Sequence, residues 1–152
     1  MASIIHKVGI KAPLATVYQA LATVDGVAGW WIEDTEGLSQ PGGHIDVYFH
    51  TPSGERRGSM RMEVAALEPD KEVRWRILTG PEEWRGTEVT FKLHRDGDYT
   101  IVMFSHRNWR EESELMAHCS TKWAVFMLSL KALGETGKGR PAPHDVKIDN
   151  WN

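Results

Sequence analysis

The sequence predicts an α+β domain, and the prediction rests on how its apolar residues are spaced. Near the N-terminus they recur at intervals of three and four, through the middle they alternate, and near the C-terminus the helical spacing returns. Strands and helices segregated in this way are typical of an antiparallel sheet packed against helices. With 152 residues, 41% of them hydrophobic and 26% charged, the chain suffices for one globular domain with its own core.

The N-terminal part predicts one strand followed by two short helices. Residues 3–11 alternate imperfectly and are interpreted as the first strand. Pro13 suits the first position of a helix because its missing N–H would be unpaired there. We expect the Asp-Gly pair at 25–26 to end this helix, a second helical turn to span residues 27–31, and the polar residues 33–43 to form a loop.

The middle of the chain predicts five further strands. Apolar and polar residues alternate over residues 45–50, 60–64, 73–77 and 89–94, and a strand that is apolar on both faces spans residues 99–106. Short connections containing Gly, Pro and Asp join them, and the Asp-Gly pair before the last strand is typical of a hairpin turn. Together with the first strand, they predict a six-stranded antiparallel sheet with one solvated face.

A long helix is predicted to close the domain. One apolar stripe at helical spacing contains Leu115, Cys119, Trp123, Phe126, Leu130 and Leu133. We expect Gly134 and Gly137 to end the helix. The single domain is therefore expected to span residues 1–137, and residues 138–152 are expected to form an extended tail.

Three segments resemble a known family. They are residues 13–21 (PLATVYQAL), the Trp30-Trp31 pair, and residues 121–141 (TKWAVFMLSLKALGETGKGRP). The chain resembles the START/Bet v 1-like (SRPBCC) superfamily, and within it the AHSA1-like family of activators of Hsp90 ATPase. The resemblance implies a helix-grip fold, in which a curved antiparallel sheet wraps around a long C-terminal helix, with two short helices after the first strand and an apolar cavity inside.

The aromatic residues are the candidate walls of that cavity. Half of them are tryptophan (7 Trp, 4 Phe and 3 Tyr), a residue that suits both cores and apolar pockets. The residues expected to face the interior are Trp30, Trp31, Phe49, Trp75, Phe104, Trp123 and Phe126. Trp84 and Trp109 are expected at the cavity mouth, and His106 and His118 are candidate polar groups for a ligand. For each residue, ordinary core or surface placement is the alternative.

Composition and spacing argue against several other kinds of site. The net charge of −3 and the acidic residues among the arginines exclude a basic track for nucleic acid. His44 and His50 lie about 20 Å apart along one strand, too far for one metal ion. The segment GETGKG lacks the spacing of a phosphate-binding loop. Cys119, the single cysteine, cannot pair directly with His118, because adjacent residues on a helix do not face each other. Glu33, Asp34 and Glu36 are interpreted as part of a solvated loop. We therefore expect neither a metal nor a cofactor.

The N-terminal segment MASIIHKVGI lacks the apolar stretch of a signal peptide, and no apolar run approaches the roughly 20 residues that cross a membrane. We therefore expect a cytoplasmic protein without membrane insertion.

These observations leave three functional hypotheses. The first is a non-enzymatic binding protein that holds a small apolar or amphipathic ligand between the sheet and the last helix. The second, implied by the resemblance alone, is a co-chaperone that binds Hsp90. The third is a cyclase- or hydrolase-like enzyme with His106 or His118 as general acid or base, although no catalytic residue carries over from the superfamily. The tail with Trp151 is expected to dock on its own domain or on a second chain, so a homodimer is also open.

Overall fold

A computed structural model describes residues 1–149 and residue 152 of the chain. The N-terminal elements are strand β1 (Ala2–Ile10) and helices α1 (Leu14–Ala22) and α2 (Val24–Trp30). The strands that follow are β2 (Thr35–Gly37), β3 (His44–His50), β4 (Arg56–Glu68), β5 (Glu72–Thr79), β6 (Glu88–Asp96) and β7 (Tyr99–Trp109). A short 3-10 helix (Glu82–Trp84) precedes β6, and the long helix α3 (Glu114–Thr136) follows β7.

All strands of the described residues belong to one sheet in the order β1-β7-β6-β5-β4-β3-β2, and every neighbouring pair is antiparallel. Within the part of the chain that the structure describes, the sheet therefore has seven strands, and the expected number of six was wrong. The additional strand is β2, which lies within the segment interpreted as a loop and pairs with β3 from Thr35↔Val47 to Gly37↔Ile45. Its short polar sequence at the sheet edge carries no alternating pattern, so only the pairing defines it.

The first helix ends earlier than expected. Thr23 separates α1 from α2, and its hydroxyl accepts a hydrogen bond of 2.9 Å from the Gly26 amide. The Asp-Gly pair at 25–26 therefore lies inside α2 instead of ending α1. A Cβ at Gly26 would collide with the backbone of α1 at Gln19 and Ala20. Glycine is present here because the two helices approach closely, not because a turn requires it.

Helix α3 packs across the concave side of the sheet. The Ser113 hydroxyl caps its first turn by accepting from the Met116 amide at 3.2 Å. Gly137, at φ 85°, ends the helix in the left-handed conformation, whereas Gly134 lies within it and was wrongly expected to end it. A Cβ at Gly134 would lie 2.8 Å from Ile10 Cγ2, so this glycine lets α3 approach β1.

The segment after α3 turns back onto the domain. The Ala142 amide donates to the Trp31 carbonyl at 2.7 Å, and the Glu33 amide donates to the Ala142 carbonyl at 2.9 Å. Gly139 passes so close to Gly29 that a Cβ would meet the Gly29 carbonyl oxygen. We call residues 138–149 the C-terminal segment. Trp151, whose docking was left open, lies outside the described residues.

None of the helices in the described part of the chain is long and apolar enough to cross a membrane.

Candidate ligand-binding cavity

A cavity of about 610 Å³ lies between the sheet, α3 and the C-terminal segment. Its walls come from the hairpin between β3 and β4, from the 3-10 helix, from one face of α3 and from the segment that follows α3. The volume falls within the range of small-molecule sites, roughly 300–1,000 Å³.

Stacked tryptophans form the centre of the wall. Trp123, on α3, stacks on Trp31 with ring centroids 5.2 Å apart and on Trp84 with centroids 6.0 Å apart. Phe126, one turn further along α3, packs edge-on against Trp123 at 6.5 Å. The helical spacing of Trp123 and Phe126 places both side chains on the buried face, since residues three apart are neighbours on a helix surface.

The structure brings together part of the residue set expected from the sequence. The members that line the cavity are Trp31, Phe49, Trp84, His118, Trp123 and Phe126. Trp84 lies on the 3-10 helix and is 7% exposed, so it is part of the wall and not an exposed rim. Trp109, also expected near the mouth, ends β7 with 0% exposure and does not line the cavity.

The remaining expected residues pack behind the wall. Trp75 stacks on Trp31 at 5.5 Å, and Phe104 contacts Trp123 at 4.6 Å. The Trp30 indole N–H donates to the Ala20 carbonyl at 2.8 Å, which ties α2 to α1. These aromatics form a second layer that supports the cavity wall.

His106 belongs to this second layer and is a structural residue. Its Nδ1 accepts a hydrogen bond from the Trp123 indole at 3.1 Å, so the neutral ring carries its proton on Nε2. Nε2 donates to the Thr87 hydroxyl at 2.8 Å, and that hydroxyl donates to the Trp84 carbonyl at 2.5 Å. Burial lowers the pKa of His106 to about 3. The imidazole therefore stays neutral and holds together two residues of the cavity wall.

His118 and Cys119 line the cavity from the first half of α3. His118 Nδ1 lies 2.9 Å from Asp149 Oδ2, which brings the C-terminal segment against the helix. Burial raises the pKa of the Cys119 thiol to about 11, so the sulfur is protonated at neutral pH.

Sequence reasoning missed the charged residues of the cavity. Lys122, on α3, donates to Asp145 and, at 3.0 Å, to the Val146 carbonyl. Lys147 donates to the other Asp145 oxygen at 3.0 Å. Burial raises the pKa of Asp145, but the hydrogen bonds from both lysines outweigh it, and the net shift is downward. The sequence did contain one signal that Lys122 lies on the buried face of the helix. It follows Cys119 by three positions and precedes Phe126 by four, so it falls inside the apolar stripe.

A second polar cluster stands beside the cavity at the sheet edge. His50 Nε2 lies 2.7 Å from Asp34 Oδ2, and Arg56 donates to the same oxygen at 2.9 Å. The hydrogen bond to Asp34 raises the pKa of His50. Asp34, interpreted from the sequence as part of a solvated loop, thus accepts hydrogen bonds from the His50 ring and the Arg56 guanidinium. Across the described residues, no group of His, Cys, Asp or Glu side chains is arranged to hold a metal ion.

A curved antiparallel sheet wrapped on a long C-terminal helix, with a cavity between them, defines the helix-grip class of START/Bet v 1-like proteins. The chain belongs within that class to the family of activator of Hsp90 ATPase homolog 1-like proteins, whose family model matches residues 11–135.

Solved structures agree with this assignment. The solution structure of the Aha1 dimer from Colwellia psychrerythraea is 44% identical in sequence, with a TM-score of 0.79, and the match covers 91% of this chain and 100% of that one. CalU16 from Micromonospora echinospora, at 20% identity and a TM-score of 0.69, shares the fold over 86% of this chain and 73% of its own. A Staphylococcus saprophyticus protein, at 16% identity and a TM-score of 0.71, shares it over 93% and 98%. No curated protein matches the sequence.

Proposed function

We propose that this protein binds a small apolar or amphipathic molecule in the cavity between the sheet and α3, without changing it chemically. The observation that carries the proposal is the cavity itself, about 610 Å³ bounded by tryptophan and phenylalanine side chains. Apolar walls with few polar groups are typical of small-molecule sites. An apolar occupant would gain dispersion contacts with every ring of the lining.

The hydrogen bonds of His106 and the protonation of the Cys119 thiol support binding over catalysis. His106 uses both ring nitrogens in hydrogen bonds within the core and is 0% exposed. The Cys119 thiol is protonated at neutral pH because burial raises its pKa to about 11. A general base needs a free nitrogen near the substrate, and a thiol nucleophile needs its thiolate form.

Thermal unfolding with added ligands tests the proposal. Long-chain alcohols, fatty acids and polycyclic aromatic compounds are each titrated into the protein, and tryptophan fluorescence follows the same titrations. A true ligand raises the unfolding temperature progressively with its concentration, by about 2.7 kcal/mol of stabilisation at 100 times Kd, while the fluorescence change saturates. If no compound of any class raises it, the proposal is wrong.

Two matched variants locate the binding. Leu115→Trp puts a large side chain on the part of α3 that lines the cavity. Leu128→Trp makes the same change on the same helix at a side chain that is 62% exposed. We expect binding to fall at least about tenfold in the first variant and to be unchanged in the second, because only the first fills the cavity. Equal binding in both would place the ligand elsewhere.

Stimulation of Hsp90 is the second candidate function. It is favoured by the 44% identity to the Aha1 protein of Colwellia psychrerythraea, which this chain matches over that protein's whole length. The measurement is the ATPase rate of the Hsp90 of the same organism with and without this protein. An unchanged rate together with no detectable association would remove this candidate.

A cyclase- or hydrolase-like activity is the remaining alternative. It would depend on His118, because His118 lines the cavity and His106 does not. Any turnover found with a candidate substrate should fall in His118→Ala, and turnover that survives this change would reject the histidine as acid or base.

We also propose that the protein forms a homodimer, on the similarity to the dimeric Aha1 of Colwellia psychrerythraea. Sedimentation equilibrium decides between one mass of 17.2 kDa and twice that mass.

A further inference from the structure

The charges that line the cavity are unevenly distributed. The cationic side chains in the lining are those of Arg57, Lys122 and Lys147, and the one acidic side chain among the described lining residues is that of Asp145. That carboxylate is 1% exposed and already accepts hydrogen bonds from both lysines. The pair of lysines around one carboxylate leaves an excess positive charge on the polar side of an otherwise aromatic cavity.

Arg57 is the cationic residue of the lining whose N–H donors have no partner among the described residues. Among the described residues, its guanidinium takes part in no hydrogen bond and no ion pair, and the side chain is exposed at the start of β4. The neighbouring Arg56 provides the contrast, because it donates to Asp34 at 2.9 Å and lies 3.8 Å from the Tyr48 ring centroid. A guanidinium carries a fork of N–H donors that matches a carboxylate, so Arg57 is suited to an acidic ligand group.

Carboxylates next to the lining residues are engaged by partners of their own. Asp34 is held by His50 and Arg56, and Asp149 lies 2.9 Å from His118 Nδ1. Glu83 accepts a hydrogen bond of 2.5 Å from the Ser113 hydroxyl. None of these carboxylates belongs to the lining residues. A cationic ligand would therefore meet charges of its own sign, and like charges across an interface suppress binding.

We infer that the cavity selects an amphipathic anion, a molecule with an apolar body that packs on Trp31, Trp84 and Trp123 and one carboxylate head group that pairs with Arg57. This inference rests on the proposed ligand-binding function and names its ligand class. The apolar body supplies the affinity by leaving water, and the head group supplies the selectivity.

Ligands that differ only in the head group test the inference. Dodecanoate, dodecanol and dodecylammonium, and likewise 2-naphthoate, 2-naphthol and 2-naphthylmethylammonium, are titrated below their micelle concentrations at pH 7.5 with tryptophan fluorescence and calorimetry. We expect the carboxylate to bind about tenfold more tightly than the alcohol, and the ammonium to bind most weakly. The advantage of the carboxylate should shrink as salt is raised, because Arg57 is exposed to solvent.

Arg57→Gln should remove the advantage of the carboxylate over the alcohol. Arg107→Gln is the matched control, since Arg107 is an exposed arginine of β7 outside the lining. If alcohol and carboxylate bind equally, or the ammonium binds best, the inference is overturned and the proposed function stands. If the carboxylate advantage survives in Arg57→Gln, Arg57 is not the head-group site and the inference is overturned. If neither series binds with any head group, the proposed function fails as well.

Discussion

At the scale of single residues, His106 illustrates how a polar side chain in an aromatic core takes a structural role. It links α3, through Trp123, to Thr87 just before β6, and the Thr87 hydroxyl extends the link to the Trp84 carbonyl. Each hydrogen bond in this series has one donor and one acceptor, and this requirement fixes the tautomer of the His106 ring. The histidine thus orients two tryptophans of the cavity wall without touching the ligand space.

This role predicts a specific dependence of stability on pH. Because burial lowers the pKa of His106 to about 3 from the ordinary 6.5, the unfolded chain binds a proton below pH 6.5 that the folded protein excludes. The free energy of unfolding should therefore fall as pH decreases from 6.5 to 4.5, by roughly 1.4 kcal/mol per pH unit. His106→Gln should lack this slope, and His94→Gln, a change at an exposed histidine of β6, should retain it.

Urea unfolding at each pH is the measurement. Asp34 and Asp145 have lowered pKa values, so their contributions are lost only below the ordinary carboxyl range. His50 has a raised pKa, so its contribution is complete below pH 6.5 and is lost at higher pH. Glu135 also has a lowered pKa and begins to lose its contribution near the lower end of the window. The difference in slope between wild type and His106→Gln therefore isolates His106, and an equal slope in the two proteins would contradict the prediction.

At the scale of elements, the C-terminal segment is the part whose position depends on contacts with other elements. It is anchored by the backbone hydrogen bonds between Ala142 and Trp31 and by the buried pair of Lys122 with Asp145. A buried ion pair costs desolvation of both charges, so the contribution of the pair depends on all its hydrogen bonds being made. The segment can make them only if it passes close to α2 at Gly139.

Gly139→Ala should therefore loosen the segment. The new Cβ would collide with the Gly29 carbonyl oxygen and lie 2.9 Å from Ser129 Oγ, so either the segment or α2 must shift. We expect a loss of about 1–3 kcal/mol in the free energy of unfolding, as for overpacked cores, and faster hydrogen exchange at the Ala142 amide. Gly58→Ala is the control, because its Cβ would meet no atom within 4 Å. Unchanged exchange at Ala142 in Gly139→Ala would show that the close approach does not hold the segment.

At the scale of the whole molecule, the cavity proposed to bind a ligand is also expected to lower stability. The sheet and α3 share one aromatic cluster, but about 610 Å³ between them is not filled by side chains. Space of this kind removes dispersion contacts from its lining, so filling it is a recognised way to stabilise a protein. A cavity that stays open for a ligand therefore lowers the stability of the unliganded protein.

Leu115→Trp should therefore raise the free energy of unfolding while it weakens ligand binding. In the absence of ligand, we expect this variant to unfold with a free energy about 0.5–2 kcal/mol higher than wild type, because the indole occupies apolar space. Leu128→Trp, on the exposed face of α3, should not have this effect. Calorimetric unfolding without ligand measures both, and a Leu115→Trp protein that is less stable than wild type would indicate that the lining cannot adapt to the larger ring.

Much of the architecture was predictable because it depends on local pattern. The change of apolar period from helix to strand and back specified the order of the elements, the antiparallel sheet and the buried face of α3. The errors arose where a contact outweighed the local signal. β2 exists only through its pairing with β3, and Gly26 belongs to α2 because α1 packs against it.

The candidate site was less predictable than the fold, since a cavity is the space left between elements that are distant in sequence. The sequence alone determined that Trp31, Trp75 and Trp123 would be inside, because their positions fall on apolar faces. Only the tertiary structure decided that Trp31 and Trp123 line the cavity while Trp75 lies behind them. It also decided that Lys122 meets Asp145 and that Arg57 has no carboxylate partner among the residues described. Both depend on where α3, the C-terminal segment and the β3–β4 hairpin converge.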